Sequence, residues 1–346
     1  MNIVFVNSCP YMGGAEMWHL RTALAFCERG HDVHMLVRPG PLAERARGAG
    51  LPVMKLPMRF DLDLYSFFRA LLYFRRVRPD VVLLNDQREC RLIAPAAAAA
   101  GVKVRVQRKG WPFLKGSWRD RLTYKFFVPH VIANSHEIAR LFRNKSGLAP
   151  ERIVFFPNGF DLGRFRPVRD AAEKEKLRHR WGAGPESTVI GTAARLVEQK
   201  GLHVLIEAMP HILEKGIDAQ LFIAGEGKLK SSLERLARQK GVWDRVVFQG
   251  PVEDMPSFLG ALDVFVLAST SEGRSNALAE ALAMGLPVVA TDIPGNVELV
   301  EHEKNGLLVS PEDPVSVASA VERFVNDTAL RERLAANARR YAEDNL

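Results

Sequence analysis

Two successive series of short apolar runs, each separated by amphipathic stretches, constrain this chain more than any single motif. Residues 2–7 (Asn-Ile-Val-Phe-Val-Asn) read as a buried strand, followed by a Gly13-Gly14 turn and a helical pattern from Ala15 to about Arg29. Met17, Leu20, Leu24 and Phe26 fall near helical spacing within it. Residues 31–37, 81–84, 102–107 and 131–134 are the next strand-like runs. The pattern restarts after the turn Pro157-Asn158-Gly159-Phe160-Asp161 and a charged helix over 170–180 that ends at Gly182. Strands at 189–193, 220–224, 246–249, 264–267 and 287–290 come next, with helices between them. Such alternation predicts parallel βαβ units with helices on both faces of a sheet. The expected fold class is α/β, with two doubly wound, Rossmann-like domains over residues 1–167 and 168–346. Ligands of such sheets bind at the C-terminal ends of the strands.

Composition agrees where it bears on this. A length of 346 residues allows two domains with their own cores, and 47% hydrophobic with 25% charged residues excludes disordered and collagen-like chains. No apolar run approaches the roughly 20 residues of a spanning helix, and no basic region precedes the N-terminal apolar run, so no secretory signal is expected. Cys9, Cys27 and Cys90 are too widely spaced for a zinc site or disulfide framework and suit a reducing cytoplasm. The net charge of +8 is uneven. Residues 1–167 hold 27 Lys+Arg against 13 Asp+Glu, and the remainder 21 against 27. A basic first half suggests an anionic partner: membrane surface, nucleic acid or phosphorylated glycan.

Two loops of the second half carry the strongest chemical signals. In Ala194-Arg195-Leu196-Val197-Glu198-Gln199-Lys200-Gly201, two cations five apart lie on a strand-to-helix loop and can converge on one phosphate. Ordinary surface charges on a solvated loop are the alternative. In Ser269-Thr270-Ser271-Glu272-Gly273-Arg274-Ser275-Asn276-Ala277-Leu278-Ala279-Glu280, the turn 271–276 offers backbone N–H groups at a helix start. Glu272 and Glu280 are about two helical turns apart and could accept hydrogen bonds from sugar or ribose hydroxyls if helix begins near Ser275. A helix-start charge and half of a salt bridge are the plainer roles.

Glu272 and Glu280 with Gly273 between them, preceded by Arg195, Lys200 and Gly201, resemble the signature of retaining GT-B glycosyltransferases of family 4. Gly13-Gly14-Ala15-Glu16, Ala133-Asn134-Ser135, Pro157-Asn158-Gly159-Phe160-Asp161, Ala224-Gly225-Glu226-Gly227, Gly285-Leu286-Pro287-Val288-Val289-Ala290 and Gly295-Asn296-Val297-Glu298-Leu299-Val300 with Asn305-Gly306-Leu307 agree, so the resemblance spans nearly the whole chain. It implies a GT-B fold, with two domains facing a cleft, and a nucleotide-diphosphate sugar as donor. Arg195 and Lys200 would neutralise the departing diphosphate, and Glu272 would bind donor-sugar hydroxyls. Backbone N–H groups of Gly273, Arg274, Ser275 and Asn276 would approach sugar and phosphate, while Glu280 would hold the ribose. Gly14 would face the diphosphate from the first domain, and the base would lie near Gln249 to Val252. With two cations at the leaving group and no paired-Asp motif, no divalent metal is required.

The sequence departs from that family in two places. Family members often carry a histidine at the C-terminal end of a first-domain strand; here the matching place is Lys109, for which contact with sugar hydroxyls and recruitment of an anionic donor or acceptor both stay open. Asp86 is the nearest acidic candidate for activating the acceptor hydroxyl. The family usually continues into a helix crossing back to the first domain, whereas this chain stops at Asn345-Leu346, which raises a truncated form as one reading.

The first half also crowds Lys103, Arg105, Arg108, Lys109, Lys115, Arg119, Arg121 and Lys125 among Trp111, Phe113, Trp118, Tyr124 and Phe126. This stretch is either a solvated charged face over core aromatics or a surface resting on anionic lipid. No nucleic-acid motif accompanies it. Gly225-Glu226-Gly227-Lys228 lacks the spacing of a phosphate loop, and no GxGxxG follows the first strand. The expected activity is a cytoplasmic, retaining, metal-independent sugar transfer to a glycan or lipid-linked hydroxyl in cell-envelope synthesis, at most peripheral to the membrane. A nucleotide-sugar epimerase and a non-catalytic nucleotide-sugar or anion-binding module on the same fold are the alternatives.

Overall fold

The computed structural model describes residues 1–184 and 186–346, and the chain forms two compact units, Met1–Asn158 and Gly159–Leu346. The first unit holds strands β1 (Asn2–Asn7), β2 (Asp32–Val37), β3 (Val53–Lys55), β4 (Val81–Leu84), β5 (Val104–Lys109), β6 (His130–Ala133) and β7 (Ile153–Phe155). Between them run α1 (Gly14–Glu28), α2 (Pro41–Gly48), α3 (Leu64–Val77), α4 (Gln87–Ala99), α5 (Trp118–Phe126) and α6 (His136–Lys145). The sheet is parallel in the order β3-β2-β1-β4-β5-β6-β7. Its central strands β1, β2 and β4 are buried on both faces over most of their length. One core joins them to α3 through α6 around Phe74, Tyr124 and Phe142; the other packs α1 and α2 over Phe5 and Met35.

The second unit repeats the plan. Its helices are α7 (Ala171–Trp181), α8 (Leu202–Glu214), α9 (Lys230–Gln239), α10 (Met255–Gly260), α11 (Asn276–Ala283), α12 (Pro294–Val297), α13 (Pro314–Asn326) and α14 (Thr328–Asn345). Its strands are β8 (Thr188–Ala193), β9 (Ala219–Ala224), β10 (Val246–Gly250), β11 (Val264–Leu267), β12 (Val288–Thr291) and β13 (Leu307–Val309), parallel in the order β10-β9-β8-β11-β12-β13. Strand order therefore reverses direction between β1 and β4 in the first unit and between β8 and β11 in the second. Loops leaving those strands part to opposite faces, which opens a crevice for ligands.

The division falls between Asn158 and Gly159, earlier than the join expected near residue 167. Residues 159–167 belong with the second unit because Phe165 is buried in its core. On α14, the Arg339 guanidinium also donates to the carbonyls of Phe165 (2.7 Å) and Ala283 (2.6 Å). Among the described residues no helix is long and apolar enough to cross a membrane.

Candidate active site

In the second unit, the loop after β8 and the loop after β11 are fastened across the crevice. Glu272 is buried, and its Oε1 receives both the Lys200 ammonium and the Ser269 hydroxyl, the latter at 2.7 Å. Oε2 has no protein hydrogen-bond partner among the described residues and stays available as an acceptor. Gln199 adds two links, its side-chain amide donating to the Ser271 carbonyl (3.2 Å) and its carbonyl accepting the Thr270 N–H (2.9 Å). Two glycines make this closeness possible. Gly201 sits at φ +59°, and a Cβ there would lie 2.0 Å from the Ala268 carbonyl oxygen; at Gly295 it would lie 2.3 Å from that of Glu272. Behind the loop, Thr291 donates its hydroxyl to the Ser269 carbonyl (2.5 Å), and the Asn296 amide donates to Thr291.

Helix α11 starts where the sequence indicates. Ser275 is its N-cap, its hydroxyl accepting the Leu278 N–H, so residues 273–275 lead from Glu272 into the positive end of the helix. Glu272 precedes the helix, and Glu280 lies about 7.5 Å of helical rise beyond Ser275. Arg274 has a buried Nε without a hydrogen-bond partner. Arg195 is exposed and its guanidinium has no partner among the described residues, in contrast to Lys200. Gln249 spends its side-chain amide on the Trp181 carbonyl (2.9 Å), and Val252 packs against the core, which leaves backbone groups as the polar surface of that segment.

The first unit builds a different edge. Gly13 and Gly14 begin α1 without a side-chain cap, and Glu16 in the first turn is buried within 3.5 Å of Asn7 Nδ2. His19 lies beneath, fully buried; burial first and the Arg108 charge second hold its imidazole near pKa 3, so it is neutral. Arg108 is itself buried, stacks on Trp18 at 4.7 Å and donates to Asn158 Oδ1 at 2.7 Å. Burial lowers its pKa to about 10, with Glu16 pulling the other way.

Glu89 on α4 spans the crevice. One oxygen accepts the Ser8 N–H after β1 (2.6 Å), and the other accepts those of Asn85 and Asp86 after β4. Burial pushes this carboxyl up to about 8 despite those donors. Asp86 is engaged as the N-cap of α4, accepting the Gln87 N–H at 2.7 Å, while its carboxylate remains largely exposed. Lys109 ends β5 only 4% exposed, its ammonium 3.8 Å from Asp86 Oδ1, too long for a hydrogen bond.

The structure thus brings Lys200 and Glu272 together, starts α11 four residues after Glu272, and places Asp86 next to Lys109. Sequence reasoning missed Ser269, Thr291, Gln199, Glu89, His19 and Arg108. The available signal was a polar residue directly following an apolar strand, as in Asn7-Ser8, Gln107-Arg108-Lys109 and Thr291.

Comparison with known proteins identifies the family and the fold. The family described as "Glycosyl transferases group 1" matches residues 173–341, and "Glycosyltransferase Family 4" matches residues 12–164. The chain is 30% identical to the lipopolysaccharide core biosynthesis glycosyltransferase LpsE of Rhizobium meliloti (strain 1021), over 93% of this chain and 88% of that one. It is 26% identical to the Escherichia coli UDP-Gal:alpha-D-GlcNAc-diphosphoundecaprenol alpha-1,3-galactosyltransferase, over 95% and 89%. Among solved structures, Anabaena HepE in complex with UDP and glucose superposes with a TM-score of 0.87 at 24% identity, covering 100% of this chain and 95% of that one. The chain belongs to the group 1, family 4 glycosyltransferases and has the GT-B fold of two parallel-sheet α/β units.

Proposed function

We propose that this protein transfers a sugar from a nucleotide-diphosphate donor to a glycan or lipid-linked hydroxyl in cell-envelope synthesis, with retention of anomeric configuration and without a divalent metal. The observation that carries the reading is Glu272, a buried carboxylate with one oxygen held by Lys200 and Ser269 and the other open beside the α11 N-terminus. An open carboxylate oxygen orients sugar hydroxyls, and adjacent cations and helix N–H groups receive phosphate. The C1–O bond of the donor breaks with its electron pair passing to the β-phosphate oxygen, where Arg195 and Lys200 stabilise the growing charge. The acceptor oxygen bonds to C1 from the face that the diphosphate leaves, and its proton passes to a departing phosphate oxygen. Glu280 is assigned to the ribose, Asp86 to the acceptor hydroxyl, and Lys109 to an anionic group carried by the donor sugar or the acceptor. The relatives' names support the substrate classes: a lipopolysaccharide core enzyme and a diphosphoundecaprenol galactosyltransferase. UDP is the first donor nucleotide to test, since UDP occupies the Anabaena structure.

The test is a thermal-shift series with UDP, GDP, ADP, CMP and their sugar conjugates, with and without EDTA. Ligands that bind the folded state raise the apparent melting temperature. A rise with one diphosphate, unaffected by EDTA and blunted in Arg195→Ala, is expected. A response that requires added metal would remove the metal-independent reading, and no response to any nucleotide would remove the donor reading altogether.

A further inference from the structure

Two segments of the first unit expose apolar side chains that a soluble helix normally hides. In α3 and the loop before it, Leu62, Leu64, Tyr65, Phe68 and Leu72 are 55% to 80% exposed, while the opposite face buries Ala70 and Phe74. A contiguous exposed apolar cluster of this kind, rimmed by Arg69, Arg75 and Arg76, marks an interaction surface. Beside α5, Phe113, Trp118, Leu122 and Phe126 are exposed in the same way, and only Tyr124 of that stretch's aromatics is fully buried. In the second unit the large exposed apolar residues among those described are Trp243, Val297 and Val315, far apart in sequence.

The two segments form one fixed surface. Arg91 on α4 reaches both, with Nη1 on Asp61 and Nη2 on Asp120, each at 2.8 Å. Arg88 donates to the Met58 carbonyl, and Asp63 caps α3 through Ser66 and Arg59, so the loop carrying Leu62 is pinned from both ends. The charges are one-sided. Residues 59–78 carry five Arg against two Asp, and residues 111–127 carry four Lys and Arg against one Asp. All three aspartates are spent on Arg91 or on helix caps, which leaves the surface cationic.

We propose that this α3–α5 surface docks on an anionic lipid bilayer, with leucines and aromatics entering the headgroup boundary and the flanking Arg and Lys meeting lipid phosphates. A second copy of the chain fits poorly, because a two-fold contact would set this cationic face against itself. The N-termini of α3, α4 and α5 all lie at the C-terminal strand edge, where Asp86 and Lys109 sit, so docking would bring that edge to a lipid-linked acceptor. In this the inference rests on the acceptor class proposed above.

Flotation of the full chain with vesicles tests the docking directly. Vesicles of equal parts phosphatidylglycerol and phosphatidylcholine should carry the protein at least about tenfold better than phosphatidylcholine alone, less so at high salt. Leu64→Ser with Phe68→Ser, and separately Trp118→Ser with Phe126→Ser, should each lower partition about tenfold or more while the nucleotide thermal shift stays at its wild-type value. That shift certifies the fold and reports the donor reading independently: vesicle binding without a nucleotide response would sink the donor assignment and leave the docking standing. Equal binding to both vesicle types, no binding to either, or double variants that float like wild type would each overturn the proposal. So would a dimer in light scattering that the α3 double variant dissolves, since the face would then be a self-association surface.

Discussion

Each unit places a glutamate across the crevice where its strand order reverses, and the two glutamates are satisfied in opposite ways. Both oxygens of Glu89 in the first unit are taken up by backbone N–H groups, three in all. Glu272 in the second unit takes a lysine and a serine on one oxygen and keeps the other open. The same topology therefore yields a structural clasp in one unit and a receptive carboxylate in the other. The difference lies in the loops that leave the strands. Those after β8 and β11 supply side-chain partners, Lys200 and Ser269, whereas Glu89 reaches back from a helix to bare backbone. Position at the crevice alone does not make a carboxylate available to a ligand; an unspent oxygen does.

Breaking the receptive side should have the largest effect. Glu272→Ala is expected to lower sugar transfer about 100-fold or more, while affinity for the free nucleotide diphosphate stays within a few-fold, because Lys200 is released to the phosphates. Parallel loss of transfer and diphosphate affinity would show that Glu272 merely holds the loop. Next in size, Arg195→Ala combined with Lys200→Ala should weaken the diphosphate about 10- to 100-fold and the nucleoside hardly at all, as fits loss of charge-assisted bonds worth roughly 1.5–3 kcal/mol. Calorimetry with nucleoside and diphosphate separates the two, and equal losses would refute direct phosphate contact.

The clasp side predicts a pH effect. The unfolded chain protonates His19 near 6.5 while the folded one resists to about 3, so falling pH costs stability from 6.5 downward. Glu89 holds its proton to about 8 when folded and loses it near 4.5 when unfolded, so rising pH costs stability across that window. Between about 4.5 and 6.5 the two slopes cancel, leaving Glu89 alone above and His19 alone below. The upper limb, from 6.5 to 8, should remove about 2 kcal/mol from the first unit. Denaturant unfolding at pH 6 and pH 8 measures it. In Glu89→Gln the limb should flatten, even though the variant starts less stable because its amide faces backbone N–H groups. An unchanged limb would mean that Glu89 is ionised in the folded protein.

These contrasts explain what was legible in the sequence. The central strands and α1, α7 and α11 fall within a few residues of their expected places, since apolar runs, Gly182 and Ser275 mark them. The strands missed, β3, β7 and β13, are three-residue edge strands, too short to carry a pattern and paired on one side only. At the site, what one loop holds was readable: Glu272 followed by Ser275 at the start of α11. Partnerships made across loops, such as Thr291 to Ser269 or Glu89 to Ser8, depend on which strands are neighbours, and linear spacing carries no trace of that.

The smallest expected effect sets the two lysines at the crevices, Lys200 and Lys109, against each other. Lys200 has a carboxylate on its ammonium, while Lys109 has one only at 3.8 Å, and Asp86 already caps α4. A buried ammonium so weakly compensated favours an approaching anion, because attraction grows as water is excluded. Thermal shifts with a nucleotide-linked hexuronic acid and its neutral hexose should therefore show a preference for the acid in wild type that drops a few-fold in Lys109→Ala, with the neutral donor unaffected. If both donors weaken alike in Lys109→Ala and Lys109→His restores both, the side chain serves sugar hydroxyls instead. If neither donor responds while transfer to an anionic acceptor slows, the charge that Lys109 awaits belongs to the acceptor.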